Sequence, residues 1–377
     1  MLLNPGRTTY GPADREMIGA AHAVAVRTLL GHCPAHAPTP LLAVPALAAE
    51  LGVAQVHIKG EWARMGLGSF KALGGAYAVA LQVLARAEAV LGRPVAPEEL
   101  ASPAVREIAR ALTVVCASAG NHGLAVAAGA RAFGAQAVVV LAQTVPESFA
   151  ARLRDRGATV VRAGADYEAS MAHAAGEADR QGWILVSDSS WPGYVTTPVD
   201  VMRGYTVLVD EAARALEADG GPATYVFVQA GVGGLAAAAA GYLRDRWGEA
   251  FRFVVVEPQG APCLLESVRA GHPVVFDGGG SALGRLDCKE PSLLAFELLA
   301  RVADAFLLVT DAQAEAASVR LIALGAPTSP CGATGAAGLI ALAADPAGRR
   351  ALGLDAEARV LLIGTEAADA PASGAAA

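Results

Sequence analysis

The sequence predicts an α/β protein built as two doubly wound domains with mostly parallel sheets, and three observations carry that expectation. Nine short Val/Ile/Leu-rich runs alternate with Ala-rich stretches of helical length, as parallel strands joined by helical crossovers require. The chain has 377 residues, about two domains at roughly 100–200 residues each. Apolar residues make up 54% and charged residues 17%, below the usual ~25%, so charge-driven disorder is excluded and a large core can be buried.

In chain order, strands are expected at 55–59, 112–116, 137–141, 159–162, 184–186, 225–228, 253–256, 305–309 and 360–363. The second to fifth lie close together and are followed by a polar, Pro-containing passage at 188–198, the pattern of a small domain inserted into a larger one. The expected organisation is a discontinuous large domain of residues 1–76 and 196–377, an inserted small α/β domain of 77–195, and a flexible tail from about 368 to 377 with no periodic apolar face.

Charge and composition narrow the partners. The formal charge is −7 without any basic run, which points away from nucleic acid and anionic membranes and toward a small molecule. Residues 111–130 and 224–243 lack acidic, Lys and Arg side chains, but polar Gly-rich centres at 118–123 and 229–234 split each into strand, turn and helix rather than a membrane span. The first residues carry no basic segment followed by an apolar run, so a secretion signal is not expected. Five scattered cysteines without a CxxC spacing make neither a disulfide framework nor a zinc site; no metal is expected, and a reducing cytoplasm fits.

Four segments carry chemistry. Lysine occurs only at Lys59, Lys71 and Lys289. Lys71 sits in Gly68-Ser69-Phe70-Lys71-Ala72-Leu73-Gly74-Gly75-Ala76, a small apolar setting that frees an amine to form a Schiff base, although a lysine snorkelling at a helix start reads equally well. Gly231, Val232, Gly233, Gly234 and Leu235 follow a strand and open a helix, so successive backbone N–H groups can face a phosphate; a tight turn without ligand is the plain alternative, and a nicotinamide fingerprint lacks its acidic partner. Ser118, Ala119, Gly120, Asn121 and His122 lie at another strand-to-helix turn that offers hydroxyl and amide groups to a carboxylate or phenolate, while His122 alone reads as structural. Cys331, in Ser329-Pro330-Cys331-Gly332, is either a small buried hydrophobe or a polar contact at a helix start.

In this order the four segments resemble the fold-type II family of pyridoxal-phosphate enzymes, the group of serine and threonine dehydratases, cysteine synthase and the tryptophan synthase β superfamily. The resemblance implies an active site in the cleft between two domains, with Lys71 bonded to the cofactor aldehyde, Asn121 beside its phenolic oxygen, Gly231–Leu235 around its phosphate and Cys331 against its pyridine nitrogen. The sequence is most similar to the diaminopropionate ammonia-lyases, through Phe70–Ala78, Asp188-Ser189-Ser190-Trp191-Pro192-Gly193-Tyr194, Met202-Arg203-Gly204-Tyr205, Val228–Gly233, Val256-Glu257-Pro258 and Cys288-Lys289-Glu290-Pro291. That family cleaves 2,3-diaminopropionate to pyruvate and ammonia as a homodimer. The resemblance therefore implies α,β-elimination on a small L-amino acid with a β-leaving group. Lys71 and Asp188 would be catalytic, and Ser118, Ala119, Gly120 and His122 would bind the substrate.

Three departures bear on the chemistry. Ala119 stands where the family has an aspartate associated with the D-enantiomer, while Asp188 keeps the other carboxylate. Cys331 replaces a serine, in a local context closer to a serine dehydratase. Arg285, Asp287 and Lys289 replace small residues, and the two cations would suit an anionic substrate or leaving group, with a solvated surface pair an equally good reading. Serine or threonine dehydration and β-replacement are the rival activities within the family, and a nicotinamide oxidoreductase or a silent binding relative stand outside it. A Cys263–Cys288 disulfide is conceivable from the family-like segments that hold both residues.

Overall fold

The computed structural model describes residues 1–368. Eleven strands are present among them: β1 (Leu2–Leu3), β2 (Leu41–Ala43), β3 (Gln55–Gly60), β4 (Thr113–Ala117), β5 (Gln136–Leu141), β6 (Thr159–Arg162), β7 (Ile184–Leu185), β8 (Tyr225–Gln229), β9 (Arg252–Pro258), β10 (Ala305–Val309) and β11 (Arg359–Gly364). All nine expected strands form, with ends moved by two residues at most. The two that the sequence did not announce, β1 and β2, are antiparallel edge strands of two and three residues, too short to display any periodicity.

The chain divides into two compact units. The first comprises Met1–Glu16, Pro38–Ala63 and the chain from Leu208 onward; the second comprises Met17–Ala37 and Arg64–Val207. These cuts differ from the expected ones at 76 and 195 for a packing reason. The helix Lys71–Leu91 runs through residue 76 without a break, and the first half of the helix Thr196–Ala218 packs on it, so both belong with the second unit up to Val207. Ala368, where a flexible tail was expected to start, donates its N–H to the carbonyl of Pro327 at 3.1 Å, and residues 369–377 lie outside the described residues.

The first unit holds a seven-stranded sheet in the order β1-β10-β9-β8-β11-β3-β2, parallel except at both edges. Its central strands are apolar on both faces, as sheets covered by helices on each side require. The core on one face joins Phe227, Val254, Val256, Leu307, Val360 and Leu362 to Ala333, Ala336, Ala337 and Leu339 of the helix Pro330–Ala344. The second unit holds four parallel strands in the order β6-β5-β4-β7.

Helix ends follow the local sequence. Ser102, Asp166 and Ser329 cap the helices that begin after them by accepting from the backbone N–H of Val105, Ala169 and Gly332, and Pro103 and Pro330 occupy the first turn, where no N–H is needed. Small residues set the closest crossings in the second unit. A Cβ on Gly75 would come within 2.7 Å of the Ala125 Cβ, and one on Gly129 within 3.0 Å of the Ala76 Cα, so the helices Lys71–Leu91 and Asn121–Phe133 meet backbone to backbone. Gly74 and Gly204 do the same for the helix Thr196–Ala218, at 2.6 Å.

Two substitutions test this packing. Alanine gains about 1 kcal/mol over glycine in a helix, while overpacking costs roughly 1–3 kcal/mol. Gly75→Ala should therefore lower the melting temperature. Gly176→Ala, in the helix Tyr167–Gln181 with only an Arg180 side-chain nitrogen nearby at 3.5 Å, should raise it. Thermal unfolding followed by circular dichroism checks both signs.

Candidate active site

In an open parallel sheet, ligands bind beyond the carboxyl ends of neighbouring strands whose outgoing connections leave in opposite directions. In the second unit that point lies between β4 and β7, because the chain steps from β4 to β5 to β6 on one side and returns to place β7 on the other. The segment Ser118–His122 follows β4 and Asp188 follows β7. Both motifs singled out in this part of the sequence thus converge on one strand pair.

Ser118 closes the turn after β4: its Oγ accepts from the N–H of Gly120 at 3.2 Å and of Gly123 at 3.0 Å, leaving its own proton to donate elsewhere. His122, in the first turn of the following helix, is buried, and its Nε2 lies 2.8 Å from the Val186 carbonyl. A carbonyl only accepts, so Nε2 carries the proton and Nδ1 is turned toward Asp188, 3.9 Å from its Oδ2. The Asp188 carboxylate forms an ion pair with the Lys71 ammonium. Phe70 and Tyr205 flank the Lys71 Nζ, with ring centroids 5.2 and 5.8 Å away. Lys71 is therefore no snorkelling surface lysine.

The turn after Asp188 is fastened by other groups. Trp191 and Tyr194 stack at 4.4 Å, the Tyr194 hydroxyl donates to the Leu185 carbonyl and accepts from the Ser187 N–H, and the Ser187 Oγ accepts from the Ser189 N–H. Asp188 is thereby left for Lys71 rather than used as a turn cap. Burial alone would raise the Asp188 pKa, but charge on His122 and Lys71 and the Lys71 hydrogen bond outweigh it and hold the carboxyl well below the usual carboxylate range. Ala119 is exposed and offers only a methyl group.

In the first unit the strand order reverses between β8 and β11, and the remaining motifs lie at their carboxyl ends. The loop after β8 runs from Gly231 into the helix Gly234–Trp247. A Cβ on Gly231 would crowd the Cys288 Sγ at 2.9 Å and the Arg285 carbonyl at 3.2 Å, and Gly233, with a φ of +98°, adopts a backbone that favours glycine. No described residue accepts a hydrogen bond from the backbone N–H groups of residues 231–235, which stand at the positive end of a 14-residue helix. Ser329 follows on the far side of β8 as cap of the helix that carries the buried Cys331.

Three residues outside the expected set organise this half. Gln229, at the end of β8, donates from Nε2 to the carbonyls of Gly332 and Ile363, each at 2.9 Å, and to the Thr365 hydroxyl at 3.1 Å, tying three chain segments together. Glu257, fully buried at the end of β9, accepts from the N–H groups of Leu264 and Leu265 at 2.8 Å each, and Leu264 packs against Gly233. Burial pushes its pKa up to about 8 against the pull of those two donors. Glu366, just beyond β11, receives Ser329 and Arg285. Only an isolated acid within an apolar run hinted at Glu257; nothing local marked Gln229 or Glu366.

The cations that departed from the family are both paired, Arg285 with Glu366 and Lys289 with Asp287 at 2.8 Å each, so neither is left to select an anionic substrate. Lys59 is fully buried against Thr39, Glu61 and Glu211. Cys263 and Cys288 are not joined in a disulfide, and neither are the other three cysteines. Among the described residues there is no cluster of metal-ligating side chains and no helix long and apolar enough to cross a membrane. Each unit by itself carries groups that fit pyridoxal phosphate: the second an amine beside a carboxylate, the first open amide donors around closely packed glycines.

A carboxylate with a depressed pKa contributes stability above the ordinary carboxylate range and loses it as pH falls through the folded value. The stability gap between the native chain and Asp188→Asn should therefore be widest above about pH 5 and close progressively below about pH 4. Urea midpoints measured against pH check this.

Comparison with known proteins agrees with the geometry. A pyridoxal-phosphate dependent enzyme family profile matches residues 33–366. Diaminopropionate ammonia-lyase of Escherichia coli K12 is 33% identical over 341 residues, covering 87% of this chain and 84% of that protein. A probable D-serine dehydratase of Paracidovorax citrulli is 29% identical over 83% of this chain and 72% of its own length. The crystal structure of the E. coli ammonia-lyase with an aminoacrylate–pyridoxal phosphate azomethine intermediate superposes with a TM-score of 0.85 at 28% identity, over 97% of this chain and 93% of that one. The chain belongs to the pyridoxal-phosphate dependent enzyme family, and its cofactor is pyridoxal phosphate.

Proposed function

We propose that this protein is an ammonia-lyase that carries out α,β-elimination on a small L-amino acid with a β-leaving group, with 2,3-diaminopropionate the substrate of choice, converted with water to pyruvate and two ammonia. The observation that carries the proposal is the Lys71–Asp188 ion pair: a nucleophilic amine and a carboxylate share one site at a strand-order reversal in a chain of this family. The activity of the E. coli relative supports the choice of substrate. Serine or threonine dehydration is the second reading, favoured by the Ser329-Pro330-Cys331-Gly332 context.

When bound, the cofactor supplies an aldehyde that captures the substrate amine and a ring that accepts the electron pair released at Cα. Lys71 holds the aldehyde until substrate displaces it. The N–H groups of Gly231, Val232, Gly233, Gly234 and Leu235 receive the phosphate, where the helix end favours an anion. Asn121 meets the phenolic oxygen and Cys331 the pyridine nitrogen. Ser118, with a hydroxyl proton to donate, and the Ala119-Gly120 backbone receive the substrate carboxylate. Lys71 or Asp188 takes the Cα proton, and His122 keeps Asp188 ionised and oriented for that step. A cytoplasmic homodimer acting on an amino acid, without nucleic-acid or membrane partners, fits the family resemblance, the free thiols and the charge of −7.

Reduction of the holoenzyme with borohydride followed by peptide mass spectrometry should find the pyridoxyl group on Lys71, and Lys71→Ala should lose covalent attachment and turnover. Label on Lys59 or Lys289 would reject the assignment. A second expectation concerns stereochemistry: the Cα proton of the D-enantiomer faces the side where Ala119 offers no base, and losing a general base costs about 10²–10⁴-fold. L-2,3-diaminopropionate should turn over and its D-enantiomer should lag by that factor, with Asp188→Asn crippling the L-reaction and Ala119→Asp restoring part of the D-reaction. Equal rates on both enantiomers would sink this account of the two faces.

A further inference from the structure

We propose that the Arg285–Glu366 ion pair sets the proton balance beside Cys331 and keeps the cofactor's ring nitrogen neutral. The proposal rests on the reading that Cys331 faces that nitrogen, and it assigns a role to Arg285, which replaces a small residue of the most similar family.

Glu366 is only 4% exposed, and both its main chain and its carboxylate are fixed against the helix that carries Cys331. The Thr328 hydroxyl donates to the Glu366 carbonyl at 2.8 Å, while the Ser329 Oγ, which caps that helix, donates to the Glu366 Oε1 at 2.5 Å. The Arg285 Nη1 donates to the same oxygen at 2.8 Å. Cys331 packs with Leu283, Leu286 and Ala314, so the segment bearing Arg285 covers the thiol.

A buried carboxylate with no counter-charge favours the protonated form of every titratable group near it, a pyridine nitrogen included. Arginine remains charged at any working pH, and its guanidinium on Glu366 cancels that influence. Burial, with Glu366 adding to it and Arg285 opposing, pushes the Cys331 thiol up to about 11, so near neutral pH it is an uncharged S–H. These are the charged groups acting on Cys331 from the two segments packed against it. Neither the neutral thiol nor the compensated carboxylate stabilises a pyridinium. A neutral ring withdraws less charge from Cα, which favours prompt loss of the β-substituent over reprotonation at the cofactor carbon, the step that begins transamination. Serine in place of Cys331 would leave the ring neutral on its own; Glu366 is the threat, and Arg285 answers it.

The test is the 15N resonance of holoenzyme reconstituted with pyridoxal phosphate labelled at the ring nitrogen. The native protein should show the neutral pyridine position. Arg285→Gln, at a side chain 37% exposed and so tolerant of change, should move the signal upfield toward pyridinium, Arg285→Lys should hold it, and Glu366→Gln combined with Arg285→Gln should bring it back. The fraction of turnovers ending as pyridoxamine phosphate should rise in Arg285→Gln alone. Cys331→Asp is the control for the underlying reading and should give pyridinium by itself; if that variant does not load cofactor, Cys331→Ala should still shift the signal by removing the S–H partner. An unmoved signal in Arg285→Gln with a moved one in the Cys331 variant overturns the role of the ion pair. An unmoved signal in the Cys331 variant overturns the placement of the ring nitrogen, and the proposal with it.

Discussion

The constraint on which everything else depends is the reversal of strand order in each sheet. When a chain winds outward from one strand and later returns to add a parallel strand on its other side, the loops beyond the two carboxyl ends part and leave a crevice lined by polar main chain and helix starts. In the second unit this happens between β4 and β7, in the first between β8 and β11. The segments 118–122, Asp188 and 231–235 each follow one of those strands, and Cys331 lies in the first turn of a helix packed on the larger sheet. Lys71 comes from a helix start instead, and it reaches the β7 end only because Gly74, Gly75, Gly129 and Gly204 let three helices close to backbone contact.

Charge is handled by compensation rather than by exposure. The three lysines and Arg285 each face a carboxylate, and two of those carboxylates, Glu61 and Glu366, are buried. Glu257, equally buried, is met instead by the backbone N–H groups of Leu264 and Leu265, a helix-capping arrangement moved into the core. Each buried acid fixes a main-chain segment: Glu257 the helix behind Gly233, Glu366 the start of the Cys331 helix, Asp188 the Lys71 amine. An unpaired charge at these depths would cost far more than any of these contacts returns, so the pairs are also what keeps the loops in one conformation.

Much of this was legible in the sequence, for identifiable reasons. Strands buried on both faces are written as continuous Val/Ile/Leu runs, and the runs at 225–228 and 253–256 marked β8 and β9 almost to the residue. Glycine at Gly231 and Gly233 was visible because no other residue tolerates such a turn. Asp188 and Lys71, 117 positions apart, carry no local sign of their pairing and were joined only through the family resemblance. Gln229 looked like one more polar residue before a glycine loop, since its three acceptors come from residues more than 100 positions away. The cations at Arg285 and Lys289 suggested an anionic ligand because sequence displays charge without its partner; Glu366 and Asp287 supply those partners in the folded chain.

The departures from the diaminopropionate ammonia-lyase pattern fall on side chains, and the glycine-rich turns are left alone. The glycine loop, the Lys71 segment and the turn from Asp188 to Tyr194 keep their pattern, whereas Ala119, Arg285 and Cys331 change groups that can carry or influence a proton. Such changes are structurally cheap. Ala119 is exposed, Arg285 lies partly in solvent with its head on an acid, and Cys331 for serine exchanges one small buried atom for another. Backbone geometry, by contrast, has no slack: a single Cβ at Gly231 or Gly75 meets its neighbour inside 3.0 Å. Tight backbone crossings thus leave the side chains around them as the places where such a fold can change its chemistry.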